Sequence, residues 1–404
     1  SQFSQLYSEL RDDPLKPMYN RALQGAYAPG STFKLVTAVG GLEEGIITPT
    51  TLIEDTGVYR YYQDYQPMCW LYRQYHRTHG WLNVTRALEV SCNVFFYDVG
   101  RRLTIEKIDE YARAFGLGEA TGVELPENTG VVAGPEYSAS VGQTWTDGVT
   151  LSAAIGQSDN RFTPLQLANY LASVVDGGTR YSAHFLKSIW SYDYAQKFYE
   201  YQPHALSTIS MQASTLDAVK KGLLAVTQEG SAASYFRGLD YEVGAKTGSA
   251  QVTGQTNSNA VFVCFAPYDD PQIAIAIVVE KGGSGSELGR IARDILDAYF
   301  DSGQTDTADT AAGAAANTQT AGEPVGADAD AEADAEGGEA AAAVAGLQDA
   351  LGAGADTQAD AAAEEPAGAD ADTQADAAAE EPAGADADTQ ADTAAEEPAG
   401  ADAG

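Results

Sequence analysis

The sequence predicts an α/β domain of the α+β type, in which an antiparallel sheet carries helices on its faces. Three observations predict it. Apolar residues recur at helical spacing in separate segments up to residue 228. The period then changes to three strand-like runs, "YEVGAKTGSAQV", "AVFVCFAPY" and "QIAIAIVVE", of which the last two are joined by the Asp- and Pro-rich turn "APYDDPQ". Finally "ELGRIARDILDAYF" returns to a helical stripe and closes the domain.

Taken in order, residues 1–30 read as an irregular lead-in with a short helix. Ser31–Glu44 is a predicted helix ended by Gly45. Residues 46–82 form a loop-rich insert crowded with aromatics, "VYRYYQDYQPMCWLYRQY". Aromatics beside arginine can wall a sugar or base site, but a packed surface hairpin is the favoured reading. Asn83–Leu103 is a second predicted helix, apolar at Val84, Ala87, Leu88, Val90, Val94 and Phe95. "TIEKIDEYARAFGLG" is a third, with Gly116 as its stop. In "TPLQLANYLASVVDGG", Thr163 is placed as N-cap, Pro164 at the first helical position, and Gln166 completes a capping box. Residues 211–228 make a fifth helix.

Charge is unevenly spread over the 404 residues, whose formal net charge is −35. From residue 301 onward there are 26 acidic residues and no Lys or Arg, which leaves 32 acidic against 23 basic in the first 300. Residues 1–300 are therefore a mildly acidic globular domain, and residues 301–404 are a second region of Ala, Asp, Glu, Gly, Thr and Gln. There "DTQADAAAEEPAGADA" recurs from Asp356, Asp372 and Asp388 in three near-identical copies. With one sign of charge and almost no large aliphatic or aromatic residues, this tail is expected to stay disordered. No basic patch favours nucleic acid.

Three cysteines, Cys69, Cys92 and Cys264, form no CxxC pair. Cys92 and Cys264 are read as small core residues. His76 and His79 in "YHRTHG" offer two metal ligands without a third nearby, so a structural loop is preferred and no metal site is expected. No stretch approaches the ~18 apolar residues of a membrane span. The opening "SQFSQLYSELRDDPLKP" reads as the middle of a longer chain.

Three short motifs carry chemistry. Pro29-Gly30 breaks the chain, and Ser31 and Lys34 follow three apart in the first helical turn, on one face. A serine hydroxyl needs a base to become a nucleophile. A lysine can be that base when burial and nearby positive potential loosen its proton, and a helix start supplies such potential. Ser91 and Asn93 are polar residues in an otherwise apolar helical stretch, where burial without partners is costly. A hydroxyl there can relay a proton, and an amide can hold a carbonyl or Lys34. In "GAKTGSAQV", alternation along a strand puts Lys246 and Gly248 on one face and Thr247 and Ser249 on the other. Gly248 admits a ligand backbone, and the lysine and hydroxyls can bind a carboxylate. The N–H of Ser249, paired with that of Ser31, would make an oxyanion hole. Each motif alone is weak. Together, in this order and on these element types, they are specific.

With "NRALQGAYAPGSTFK", "HRTHGWLNVTRALEVSCNVFFYDVG", "AIGQSDNRFTPLQLANYLA" and "GAKTGSAQV", the chain resembles the transpeptidase domain of class B penicillin-binding proteins over about residues 10–300. That resemblance implies a penicillin-binding and β-lactamase-like fold, a five-stranded antiparallel sheet flanked by helices with a helical subdomain. The first two strands, a pedestal domain and a membrane anchor would precede this sequence. It implies Ser31 as the acylated nucleophile, Lys34 as its base, and Ser91 and Asn93 lining the cleft. Lys246, Thr247, Gly248 and Ser249 would bind the terminal carboxylate of a peptidoglycan stem peptide, with no cofactor or metal. Ser249 stands where threonine is common, and the hydroxyl is retained. β-Lactams would acylate Ser31, other cell-wall synthesis or division proteins would be partners, and the protein would sit at the outer face of the cytoplasmic membrane.

The same motifs occur in D,D-carboxypeptidases, serine β-lactamases and β-lactam sensor domains. A class A β-lactamase needs a glutamate to activate water, and "ATGVELPENTG" supplies Glu124 and Glu127 without a matching pattern.

Overall fold

The computed structural model describes residues 2–252 and 256–301. The acidic repeats, and the disorder expected of them, lie outside the described residues. In chain order, helix α1 (Gln2–Asp12) is followed by α2 (Lys34–Glu43), β1 (Ile53–Asp55), α3 (Trp70–Tyr75) and β2 (Gly80–Leu82). Next come α4 (Val84–Glu89), α5 (Asn93–Leu103), α6 (Ile105–Ala114), α7 (Pro135–Ser140), α8 (Asp147–Ala153) and α9 (Pro164–Val175). Four short strands follow, β3 (Thr179–Tyr181), β4 (Ser188–Trp190), β5 (Lys197–Glu200) and β6 (Ala205–Thr208), and then α10 (Ala213–Gln228). The chain closes with β7 (Gly244–Ala250), β8 (Asn259–Ala266), β9 (Ile273–Val279) and helix α11 over residues 289–301.

The three expected strands form one antiparallel sheet in the order β7-β8-β9. Lys246 pairs with Val263, and Ser249 with Ala260. All eight residues of β8 are buried, because both faces of the sheet are covered. Side chains alternate across a strand. Val261, Val263 and Phe265 therefore join the large core under α2, α5 and α9, whereas Ala260, Phe262, Cys264 and Ala266 meet Leu288, Ala292 and Leu296. Cys264 is thus the small core residue it was expected to be. The remaining strands make three two-stranded ribbons, β1-β2, β3-β6 and β4-β5, of which the pairs in 179–208 carried no clear signal.

At the centre lies α2, with Lys34 through Leu42 all buried. A helix apolar all round belongs inside. Its expected start is modified. Gly30–Phe33 is a single 3-10 turn and the α-helix begins at Lys34. Tyr170 on α9 donates its hydroxyl to the Thr32 carbonyl at 3.1 Å, and the Thr32 hydroxyl donates to Pro29 O at 2.9 Å. On α9 the capping box of Thr163 and Gln166 is present with Pro164 in the first turn.

The expected single helix Asn83–Leu103 is two helices. Asn83 caps α4 by accepting from Arg86 N at 3.0 Å. The chain then turns through Ser91 at φ 55° and restarts at α5 with Cys92 as N-cap. A serine at positive φ is costly, and the Ser91 carbonyl leaves the helical ladder to accept from Lys34 Nζ at 2.9 Å. The aromatic insert is a surface ribbon, as favoured. Tyr59 packs on Tyr97 with ring centres 6.0 Å apart, and the Arg101 guanidinium lies 3.8 Å over the Tyr61 ring.

Candidate active site

Three distant segments meet above the N-terminus of α2. Gly30 makes the meeting possible. Its φ is +53°, and a Cβ there would lie 3.0 Å from Ser249 O and 3.3 Å from Ser249 N. On the other side, a Cβ at Gly248 would come within 2.7 Å of Pro29 O. The backbones beside Ser31 and Ser249 are thus in contact, and both N–H groups belong to one small region. Gly30 N also donates to Gly156 O at 3.0 Å, tying the turn to the segment after α8.

Lys34 is fully buried. Its Nζ donates to Asn93 Oδ1 at 2.7 Å, Ser91 O at 2.9 Å and Ser91 Oγ at 3.2 Å. Lys246 is buried too, and its Nζ donates to the same Ser91 Oγ at 3.0 Å and to Thr247 O at 3.2 Å. Burial lowers the Lys34 pKa to about 8, against a weaker opposing pull from Cys69 and Cys92. Burial pushes Lys246 well below the usual lysine range, and the charge of Lys34 adds to the effect. Two buried amines sharing one hydroxyl hold fewer protons than two in water. Ser31 is half-buried at the mouth, and its hydroxyl makes no hydrogen bond with any described residue.

The structure therefore brings together all eight residues singled out in the sequence. Thr247 Oγ1 lies 3.2 Å from Ser231 Oγ, and Ser249 Oγ accepts from Gly285 N at 3.3 Å. Ser231 and Gln157 went unnoticed in the sequence. Gln157 donates Nε2 to Ser249 O at 3.4 Å and lines a pocket with Asp64, Tyr65 and Ser152. Ser231 lies in no motif, and Gln157, although inside the block "AIGQSDNRFTPLQLANYLA", was not singled out there; the fold carries both to the strand. Glu124 and Glu127 are engaged elsewhere. Glu124 accepts from Phe185 N and Leu186 N, and Glu127 from Thr121 N, Thr121 Oγ1 and Gly122 N.

Immediately behind Ser91 and Asn93 is a second cluster. The ligand atoms of Asp55, Cys69, His79 and Cys92 all lie within 4.8 Å of one another, and His79 joins this set rather than pairing with His76. His79 Nδ1 is 2.6 Å from Asp55 Oδ2 and 3.6 Å from Cys69 Sγ, and the two sulfurs are 4.0 Å apart. The contact with Cys92 pulls Cys69 down to about 5 despite burial, with help from His79. Burial and the same contact push Cys92 up. For His79, burial favours the neutral ring, but the hydrogen bonds to Asp55 and Cys69 outweigh it and raise the pKa to about 9. Two sulfurs, an imidazole and a carboxylate in a buried tetrad suit a four-coordinate divalent ion of the zinc type. Cys92, expected only to fill space, is therefore also a ligand-competent group. The donors stand 10 to 14 residues apart, a spacing without a recognisable pattern.

Among known proteins, the chain is 33% identical to the peptidoglycan D,D-transpeptidase MrdA of Acinetobacter baumannii over 313 residues, which is 73% of this chain and 45% of that protein. It is 32% identical to MrdA of Escherichia coli, over 72% of this chain and 48% of the relative. The chain thus spans about half the length of these curated relatives. Pseudomonas aeruginosa PBP2 superposes with a TM-score of 0.64 at 32% identity, covering 73% of this chain and 66% of that one. Helicobacter pylori PBP2 in its complex with MreC gives 0.63 at 29% identity, covering 74% and 54%. The penicillin-binding protein transpeptidase domain matches residues 2–297, and the chain belongs to that family as a class B member.

Proposed function

We propose that this chain performs the D,D-transpeptidase step of peptidoglycan cross-linking through an acyl-enzyme on Ser31. The observation that carries the reading is the shared hydroxyl. Ser91 Oγ lies 3.2 Å from Lys34 Nζ and 3.0 Å from Lys246 Nζ, which links base and carboxylate-binding strand through one proton relay. Loss of one proton from Lys34 leaves a lone pair to accept the Ser31 proton. The Ser31 oxygen attacks the carbonyl of the penultimate D-Ala, and the N–H groups of Ser31 and Ser249 hold the developing oxyanion. Ser91 passes a proton to the leaving amine of the terminal D-Ala. Asn93 holds Lys34, while Lys246, Thr247 and Ser249 receive the terminal carboxylate and Gly248 leaves room beside the strand. An amine of a neighbouring stem peptide then takes the acyl group from Ser31. A β-lactam acylates the same oxygen as a substrate mimic.

Engagement of Glu124 and Glu127 with backbone amides supports acyl transfer over β-lactamase-type hydrolysis. The proposed setting is the outer face of the bacterial cytoplasmic membrane, among cell-wall synthesis proteins, as H. pylori PBP2 forms a complex with MreC. Among the described residues no helix is long and apolar enough to cross a membrane. The test is incubation with a fluorescent penicillin and with a donor and acceptor stem-peptide pair. A long-lived adduct on Ser31 with cross-linked dimer is expected. Rapid adduct turnover would point to a β-lactamase, cleavage without dimer to a carboxypeptidase, and an adduct without peptide turnover to a sensor.

A further inference from the structure

We infer that the cavity beside Gln157 receives the side-chain ammonium of the donor stem peptide, carried by the residue next to its D-Ala-D-Ala unit, with Asp64 as counter-ion. The inference deepens the transpeptidase reading and rests on it for the direction in which the peptide lies.

That direction follows from fixed points. In the transpeptidase reading the terminal carboxylate sits at Lys246 and Thr247, and the reacting carbonyl sits where the backbones at Gly30 and Ser249 touch. Strand β7 is at the edge of its sheet among the described residues, so an extended peptide can lie along it. Running from Thr247 past Ser249, the peptide next meets Gln157, whose Nε2 donates to Ser249 O at 3.4 Å. So long a bond leaves that carbonyl free to accept from a ligand amide as well. Gln157 is also one wall of a cavity of about 350 Å³. The residue that precedes the penultimate D-Ala is therefore delivered to the mouth of this cavity.

The chemistry of the cavity has one sign. Asp64 is the charged residue of its lining, which holds no Lys, Arg or His. The Asp64 carboxylate accepts no hydrogen bond and makes no ion pair with any described residue, and the hydroxyls of Thr146 and Ser158 in the same wall are also without described partners. Because Gln157 turns its Nε2 to the strand, its Oε1 remains as a further acceptor. An ammonium donates three hydrogen bonds and accepts none, which matches this set of oxygens. An anionic side chain would meet repulsion instead.

The aromatic insert is anchored so as to present Asp64. Tyr65 Oη lies 2.8 Å from Ser152 Oγ on α8. Its ring fills the space left by Gly148, where a Cβ would come within 2.9 Å of it. A stem peptide able to act as either donor or acceptor carries a side-chain amine beside D-Ala-D-Ala. Once that amine has been consumed in a cross-link it is an amide and has lost its charge. The cavity thus favours donors that have not yet served as acceptors.

The experiment measures release of terminal D-Ala, which reports acylation before any acceptor takes part. The donors are pentapeptides ending in D-Ala-D-Ala with L-lysine, Nε-acetyl-L-lysine or L-glutamate before that unit. In the wild-type chain kcat/KM for the lysine donor should exceed that for the acetyl-lysine donor about tenfold, as for one charge-assisted hydrogen bond. In Asp64→Asn the ratio should fall to about one. In Asp64→Lys the glutamate donor should overtake the lysine donor. A wild-type ratio near one overturns the inference, as does a ratio that survives Asp64→Asn. Absence of both D-Ala release and a penicillin adduct on Ser31 would strike at the transpeptidase reading. Calorimetric binding of the lysine against the acetyl-lysine peptide would then still decide whether the cavity selects an ammonium.

Discussion

Lys34 and Lys246 converge on one oxygen, with Nζ atoms 3.2 and 3.0 Å from Ser91 Oγ. They come from a helix start and a strand that are 212 residues apart in sequence. The pair makes the acid–base chemistry a property of the assembly rather than of either residue.

The pH dependence follows from the sign of the Lys34 shift. In the proposed mechanism only neutral Lys34 accepts the Ser31 proton, and burial lowers its pKa to about 8. Acylation by a β-lactam should therefore rise with pH, about tenfold per unit below 8, and level off above it. The same shift bears on stability. Between about 8 and the ordinary value of 10.5, the unfolded chain keeps a proton the native chain has lost, so this group adds stability as pH rises through that window. Stopped-flow acylation and denaturant unfolding across pH 6 to 10, a range of roughly four units around this pKa, check both signs.

Ser91→Ala removes the shared acceptor and leaves two amines facing each other. The expected loss in acylation rate is about 10²- to 10³-fold, with the apparent pKa of the acid limb moved down. A loss of affinity for the β-lactam with an unchanged acylation rate would contradict the relay role.

Gly30→Ala puts a Cβ at φ +53° against the Ser249 backbone. The conformational part alone costs about 1–2 kcal/mol. The melting temperature should fall by several degrees, and acylation should fall further than stability accounts for, because the N–H groups of Ser31 and Ser249, the proposed oxyanion donors, are pushed apart. Calorimetry and acylation kinetics on the same sample separate the two.

Asp55→Ala removes the acceptor of His79 Nδ1, His79 N and Gly57 N. Leaving these groups unpaired in a buried site costs about 3 kcal/mol or more. If zinc occupies the tetrad, the wild-type chain carries about one equivalent and loses thermal stability with a chelator. Native mass spectrometry and melting curves with and without chelator read both, and Asp55→Ala should show neither response.

Thr163→Ala should cost about 1 kcal/mol through loss of the α9 cap, without altering the acid limb of the pH profile. Urea unfolding together with one acylation profile checks this.

Much of the site was legible because each motif sits where a local rule is broken. Lys34 is a cation at a helix start, Ser91 and Asn93 are polar in an apolar stretch, and Gly248 interrupts a strand. The capping box at Thr163 and the alternation of β8 are local signals of the same kind. What stayed hidden depends on contacts distant in sequence. The break at Ser91 is stabilised by Lys34 and Lys246 from other elements, so the apolar period alone read through it. Asp55, Cys69, His79 and Cys92 meet only because β1 pairs with β2 and carries both ends of the insert to the start of α5. Ser231 and Gln157 are ordinary polar residues until β7 lies beside them.

The contact between the backbones at Gly30 and Ser249 also has a temporal meaning. During synthesis Ser31, the proposed nucleophile, emerges more than two hundred residues before the strand that carries Ser249. A growing chain has no assembled cleft until that late segment docks, so covalent labelling by an antibiotic doubles as a reporter of finished tertiary structure.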